Sequence, residues 1–511
     1  MGTDSIYGRN THGRGMRGLI PFLRLALLFL SPVLSLSALA GEGLTPMRAL
    51  IDVRTGVSDG TLSVSGAAEV AEEKGVDAVV FTDRDFIRCE YGLPPFRQFL
   101  KKRMIEKPAV FTYGIERYLE EIKDTDREFP DTLLVPGIRT NPYYWWEGTA
   151  FRHDLKLRDW HRHMVVIGMT SPEGYRTLPV LGNPDGSHMV LDPAMLWPFL
   201  LLLPGLLMLC RKAPPPVDES SAAHAKRIRE WQKKGAFLVL LAVVVILLNW
   251  PFTGPEFDQY ADAGSEPYQR FVDKVNENGG LSYWANPEAS GSEKMGEIRS
   301  ESAECIELMQ GISGYTGFAV FPSGYRKVGT PGGVWDKMLN EYCDGTRESP
   351  VWTIALTAYA GDQKNLARAI ASRQTVVLVD EESRDGFVKG LRRGRAYAMQ
   401  GRDCGRFHLE HFGVSDASGG KTGFVGDTVK LSGNPIVRVE GRVDGTPRDM
   451  ELRIIRNGRM IRRSREKVPF KISHEDTTLE KDKETRAKLY YRVEIREHNA
   501  HVITNPVFVT R

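Results

Sequence analysis

Hydrophobic and polar positions are segregated along this chain. Three stretches are apolar almost throughout: 25–40, 195–210 and 235–252. Elsewhere, short apolar runs alternate with amphipathic ones. Residues 51–85 read as strand, turn, helix, strand. Ser58-Asp59-Gly60 is turn chemistry. Residues 67–74 carry alanines and Val70 on one side and Glu and Lys on the other, and Gly75 is a helix stop. Residues 76–81 form the continuous apolar run of a buried parallel strand. Strand-like runs follow at 132–138, 163–169, 279–287, 351–359 and 375–383, interleaved with helical stretches such as 96–104, 265–277 and 384–393. This alternation predicts an α/β layer or barrel with parallel strands. From about residue 403 the pattern changes to short strands at 435–443, 450–464, 488–497 and 500–511, with Asn457-Gly458 as a hairpin signal. A C-terminal all-β sandwich of about 100 residues fits.

The apolar runs predict a topology. The first follows Arg9, Arg14 and Arg17 and ends in Ala38-Leu39-Ala40, the pattern of a signal peptide, with an uncleaved signal anchor as the alternative. The other two fall slightly short of the ~20 residues of a full span. They are apolar all round, unlike the amphipathic helices of a soluble core. Pro198 and Pro204 in the second are tolerated in membrane helices. Arg211, Lys212, Lys233 and Lys234 flank the connecting loop, which the positive-inside rule places in the cytoplasm. The expected organisation is a signal peptide or anchor at 1–40, an α/β domain in two parts at 41–193 and 253–402, a transmembrane hairpin at 194–252 with cytoplasmic loop 211–234, and the β-sandwich at 403–511. Both globular parts would lie on the periplasmic side.

Composition narrows the class. The 511 residues are 26% charged and 41% hydrophobic with a net charge of +3, which excludes a disordered tail and a polytopic transporter. Basic and acidic residues nearly cancel, 68 against 65, so no nucleic-acid footprint shows. Five cysteines without a CxxC give neither a disulfide scaffold nor paired zinc-ligand spacing. SGGKT at 418–422 is not a P-loop, since Ser415 stands where the first glycine belongs and no buried strand precedes it.

The order of motifs in the α/β part resembles the PHP (polymerase and histidinol phosphatase) family. The matching frame is Thr55, Ser58-Asp59-Gly60, Thr82-Asp83, Pro136-Gly137, His163 with Ile167-Gly168, Gly279-Gly280 and Pro287, and 390–399 resembles the family's closing helix and strand. The resemblance covers most of 48–402 outside the membrane insertion. It implies a (β/α)7 barrel and metal-dependent phosphoesterase chemistry. The C-terminal region, with its terminal Thr504-Asn505-Pro506-Val507, resembles the β-sandwich appended to some exported PHP proteins.

The implied metal ligands are largely missing. Asp52 and Arg54 hold the HxH positions, Arg84 the histidine of TDH, Arg139 the glutamate after Pro-Gly, and Asn286 the AHP histidine. Thr357 and Tyr359 stand at the late D-x-H. Of the usual ligands only His163 clearly remains. Arginine has no lone pair to donate and repels a cation, so a multi-metal cluster is not expected. Asp52, Asp59, Asp83 and Asp85 lie nearby in sequence. Two readings follow: a salt-bridge network filling the site, or an anion pocket in which Arg54, Arg84 and Arg139 bind a phosphate-bearing or other anionic ligand. The metal reading left open is zinc held by His161 and His163, which share a strand face, with His153 close by. An active metal-dependent hydrolase rebuilt around His163 is the alternative to a pseudoenzyme. The aromatic run 143–146 would line the mouth, a lid, the core or the bilayer. Expected partners are the membrane, an anionic ligand and an envelope protein, with no nucleic acid.

Overall fold

The computed structural model describes residues 43–511 except 94–96, 98–99, 153, 184–185, 187–188, 192, 213–216, 251, 296–297, 403, 419, 480–486 and 499. The signal-like run at 25–40 and His153 lie outside the described residues.

Strand β1 (Thr45–Val53), helix α1 (Val64–Glu73) and strand β2 (Ala78–Arg84) form the βαβ unit. Ser63 caps α1 by accepting from Gly66 N, and the Ala/Val side of the helix is buried. The next stretch, expected to be helical at 96–104, contributes instead to a hairpin of β3 (Ile87–Gly92) and β4 (Lys101–Lys107). Ile87, Cys89 and Tyr91 bury alternate positions, the period of a strand, and 101–107 supplies the paired backbone.

Helix α2 (Ile115–Glu128) leads into β5 (Leu133–Thr140). Two short strands, β6 (Trp145–Glu147) and β7 (Lys156–Arg158), occupy the following connection before β8 (Met164–Ile167). β8 runs antiparallel to β5, so the expected all-parallel set has a reversed member. The cause is the connection itself. Parallel pairing needs a crossover, usually a helix, and 141–163 is spent on β6 and β7.

β9 (Met189–Leu191) pairs with β10 (Thr253–Pro255) at the base of two apolar helices, α3 (Phe199–Leu209) and α4 (Glu219–Asn249). The expected loop 211–234 is mostly helix. From Glu219 it is rich in Ala, Lys, Arg and Glu, strong helix formers, and runs unbroken into the third apolar stretch. The two helices meet at glycines. A Cβ on Gly235 would lie 2.8 Å from the Gly205 carbonyl oxygen, and one on Gly205 2.8 Å from Val239, the small-residue contact that lets apolar helices approach closely. Among the described residues, Ala222–Asn249 is the one helix long and apolar enough to cross a membrane; α3 is shorter. Leu200 is 76% and Leu247 69% exposed.

Helix α5 (Glu266–Glu277), β11 (Leu281–Trp284), the hairpin β12 (Gly291–Met295) and β13 (Ile298–Ser302), β14 (Gly317–Phe321), helix α6 (Val334–Cys343) and β15 (Trp352–Ala355) follow. Seven strands lie side by side in the order β15-β14-β11-β8-β5-β2-β1. Backbone bonds then join the segment after β15 to β1: Thr357 N to Ile51 O at 2.6 Å, Tyr359 N to Asp52 O at 2.9 Å and Arg54 N to Tyr359 O at 3.1 Å.

Helix α7 (Gln363–Ser372), β16 (Arg373–Val379), helix α8 (Arg384–Arg392) and β17 (Ala396–Gln400) complete this part. β16 pairs with the first half of β1, and β17 pairs with β16.

The C-terminal region has two layers of strands. One holds β18 (Phe407–Ser415), β19 (Gly423–Phe424), β21 (Ile436–Val443) and β24 (Phe470–Glu475). The other holds β22 (Asp449–Arg456), β23 (Arg459–Lys467), β25 (Lys488–Glu497), β26 (Ala500–Thr504) and β27 (Val507–Thr510), with β20 (Thr428–Lys430) on β27. Val437, Leu452, Ile454 and Val493 lie in the core they share. Asn457 (φ 49°) and Gly458 (φ 83°) both sit in the left-handed region that a two-residue hairpin turn requires.

The two parts are locked together. β26 extends the sheet of β17. Asn505 is fully buried and acts as a surrogate strand residue for β15: its Oδ1 accepts from Thr353 N at 2.7 Å and its Nδ2 donates to Thr353 O at 3.1 Å. Arg492, also fully buried, donates two bonds to Asp336 of α6, both at 2.8 Å, and one to Glu494 at 2.9 Å.

Candidate functional site

The resemblance directs attention to the ends of β1, β2 and β5, where the structure brings the substituted ligand positions together. Asp52 closes β1 in a left-handed conformation (φ 74°) at a register shift against β2. Such strain persists only where the surroundings fix the residue, and here they do. Thr82 Oγ1 donates to Asp52 Oδ1 at 2.8 Å, and Arg139 Nη1 forms a short ion pair with Oδ2. Thr82 and Asp52 are fully buried and Arg139 almost so.

A second centre lies at Asp59. Its carboxylate accepts from Arg54 Nη1 at 2.6 Å and from Arg84 Nε at 3.1 Å. Burial opposes ionisation of Asp59, but the two guanidinium groups outweigh it and hold the carboxyl below its ordinary range. The turn carrying Asp59 needs Gly60, where a Cβ would fall 2.1 Å from the Arg54 carbonyl oxygen. Asp83 anchors the same turn, accepting from Thr55 N at 2.7 Å, Thr55 Oγ1 at 2.9 Å and Ser58 Oγ at 2.6 Å. Thr55, Ser58, Asp59, Gly60 and Asp83, the family-like frame, thus survive as a self-supporting loop. Gly137 survives for a similar reason, since a Cβ there would lie 2.5 Å from the Val166 carbonyl oxygen.

His163 is buried beside these pairs, its Nε2 3.5 Å from Arg84 Nη1. Burial, then Arg84 and Arg139, depress its pKa well below the ordinary histidine value, so the ring is neutral. His161 is half-buried, its ring centroid 6.2 Å from that of His163, with Nε2 3.3 Å from Glu293. Burial lowers its pKa too, against the pull of Glu293. Asn286, oriented by its neighbours, accepts from Arg139 Nη2 at 2.6 Å. Thr357 and Tyr359 touch the site through the backbone seam to β1, and the Tyr359 hydroxyl donates to Asp362 O at 2.9 Å, within its own loop.

The donor set does not suit the family's metals. Arg54, Arg84 and Arg139 occupy the middle of the site, and the accessible nitrogen of His163 faces a guanidinium. Among the described residues, no group of three or more His, Cys, Asp or Glu side chains is placed to hold a metal ion. The cavity beside Arg84, Arg139 and His163 is small, about 10 Å³, the room of one water molecule, while Asp59 and Arg84 remain partly exposed.

A cap covers this end. The β3–β4 hairpin and the sheet β12-β13-β7-β6 share a core of Tyr91, Tyr144, Trp146, Leu157, Trp160 and Ile298. The aromatic run 143–146 is therefore split between two cores: Tyr144 and Trp146 lie in the cap, while Tyr143 lies in the main core and Trp145 packs against it. Trp146 Nε1 donates to Glu90 O at 2.8 Å, fastening the two elements.

Sequence reasoning missed two groups, Arg373 and Glu288. Arg373, at the start of β16, donates to Thr357 O at 3.0 Å and feels the field of Asp52. Glu288 is buried and accepts backbone N–H bonds from Arg326 (3.0 Å), Lys327 (2.7 Å) and Val328 (2.8 Å). Its place directly after Pro287 was the available signal. Asp85 is fully enclosed, and burial pushes its pKa up to about 7. A cavity of about 540 Å³ lies at the opposite ends of the strands, lined in part by Arg48, Asp77, Phe129, Tyr397, His408 and Arg442.

No protein-family model and no curated protein matches the chain. Solved structures similar to it include a two-domain protein from Bacteroides vulgatus containing a PHP-like metal-dependent phosphoesterase, at 10% identity, covering 90% of this chain and 92% of that one, with a TM-score of 0.36. A protein from Bifidobacterium adolescentis described as a metal-dependent phosphoesterase is 12% identical over 61% of this chain and 87% of that one, TM-score 0.25. An amidohydrolase from Chromobacterium violaceum, with bound sulfate and no metal, is 11% identical over 62% and 89%, TM-score 0.25. At these scores the likeness carries no weight beyond similarity.

Proposed function

We propose that this chain is a membrane-tethered, PHP-like barrel protein whose metal centre is replaced by internal ion pairs, and that it binds or scaffolds a partner outside the cytoplasm. The observation that carries the reading is the pairing of Arg139 with Asp52 and of Arg54 and Arg84 with Asp59 where metal ligands would converge. Hydrolysis of phosphate esters by clustered cations needs open coordination positions and space for a phosphoryl group. Here three guanidinium groups are held by two carboxylates, Asp52 and Asp59, leaving one positive charge in excess but, among the described residues, no coordination position for a cation. The backbone bonds from Thr357 and Tyr359 to β1 support a closed seven-stranded barrel. The exposed leucines of α3 and α4 support the tether, as does Lys233-Lys234 at the start of the apolar half of α4.

The test is a hydrolysis assay on the purified full chain. Phosphate mono- and diesters are offered with and without added Zn²⁺ and Mn²⁺. The reading predicts no turnover above a control without protein. Metal-dependent turnover abolished by His163→Ala would establish the alternative, a hydrolase rebuilt around His163.

A further inference from the structure

We propose that the β3–β4 hairpin is a second membrane contact, one that holds anionic phospholipid headgroups beside the helical tether. This rests on the reading of α3 and α4 as membrane helices. The hairpin is an exposed, strongly basic projection. Residues 87–107 carry Arg88, Arg97, Lys101, Lys102, Arg103 and Lys107 against Glu90 and Glu106. Its outer strand is exposed from Lys101 to Arg103, and Leu100 just before it is 52% exposed. An exposed leucine followed at once by three cations is the arrangement that suits a lipid boundary: the leucine enters the headgroup layer and the cations stay at phosphate level.

The hairpin is also fastened to the chain leaving the tether. Gly92 N donates to the Tyr260 hydroxyl at 2.8 Å, and the Arg97 guanidinium lies 3.7 Å above the Tyr260 ring. Trp146 N, in the cap beneath, donates to Gln259 O at 2.7 Å. Only the short segment 250–259 separates this attachment from the end of α4 at Asn249, at most about 40 Å of extended chain. The hairpin's internal pairs leave it net positive: its six cations face two carboxylates, Glu90, which is shared by Arg88, Lys101 and Arg103, and Glu106, which also pairs with Arg103. Each cation near an anionic surface adds to the attraction. The cap would then sit against the bilayer, covering the end of the strands that holds Arg54, Arg84 and Arg139.

Hydrogen exchange on the full chain in lipid nanodiscs tests this. The discs are of phosphatidylcholine alone or of phosphatidylcholine mixed with phosphatidylglycerol. We expect amides of 87–107 to exchange several-fold more slowly with the anionic lipid. The triple variant Lys101→Gln, Lys102→Gln, Arg103→Gln should lose that slowing while the rest of its exchange pattern stays unchanged. Equal exchange in the two discs, or slowing that the triple variant keeps, would overturn the proposal. If the chain stays in solution without lipid or detergent and does not enter nanodiscs, the tether itself is wrong, and with it this proposal.

Discussion

Arg139 reaches from the end of β5 to Asp52 at the end of β1, and both side chains are buried in the pairing. They are 87 positions apart in sequence. A carboxylate and a guanidinium so enclosed depend on each other, because neither is stable there alone.

Removing one partner is therefore the sharpest stability test. Arg139→Met leaves Asp52 with the Thr82 hydrogen bond and a longer contact to Arg54 at 3.9 Å, and breaking a buried pair in this way costs about 3–5 kcal/mol. The double variant Asp52→Asn, Arg139→Met removes both charges and should recover much of that loss. Chemical denaturation of the four members of the cycle measures the coupling. Additive losses would mean that the pair is not a unit.

Asp85 supplies a pH signature. Its folded pKa, about 7, lies above the ordinary aspartate value, so the folded state holds its proton where the unfolded state has released it. Stability from this group is complete below about pH 4 and lost as pH rises towards 7. Asp85→Asn keeps an acceptor for Phe86 N, which bonds Asp85 Oδ1 at 2.7 Å, and removes the titration. The variant should gain on the wild type between pH 4 and 7, by an order of a few kcal/mol, and hold a constant lead above that. Melting curves across this range check the sign; a lead that shrinks with rising pH contradicts it.

The tether should be removable. Leu191 and Thr253 are paired residues of β9 and β10, so the strands on either side of α3 and α4 already lie together. Replacing 192–252 by a short hairpin turn should yield a folded protein that needs no detergent. Sedimentation and circular dichroism give the answer. An aggregated or unfolded product would mean that α3 and α4 belong to the core.

Asn505 is the joint between the two parts. Asn505→Ala strands the buried N–H and C=O of Thr353, about 1–3 kcal/mol for each group. A loss of about 2–5 kcal/mol in global unfolding is expected, and a neutral change would show that β15 does not depend on the C-terminal region.

Much of this architecture was legible in the sequence. Asn457-Gly458 announced its hairpin because the turn demands positive φ, and 488–497 announced β25 because every second residue must be apolar. The arginines at ligand positions were legible as substitutions. Pairing with nearby aspartates was one of two readings open to the sequence; which aspartate meets which arginine was not legible, because Asp52 and Arg139 meet only when β1, β2 and β5 align. The reversal of β8 was hidden for a related reason: an apolar run such as 164–167 does not encode direction, and the connection before it does. The helix through 219–234 is hidden by its charge beside an apolar run, which marks a boundary of the apolar segment but not of the helix, since Ala, Lys, Arg and Glu favour helix whatever the solvent. The run 143–146 allows a lid among its readings, but the cap's extent is not legible, because its core residues Tyr91, Trp146, Leu157 and Ile298 are scattered through three connections.

The central claim is that ion pairs, not metal ions, fill the mouth of the strands. Its most direct test is the metal content of the full chain, purified without chelator and measured by mass spectrometry beside His163→Ala. The account predicts substoichiometric zinc, manganese and iron, the same in both proteins. One or more equivalents of metal in the wild type, lost in His163→Ala, would contradict it.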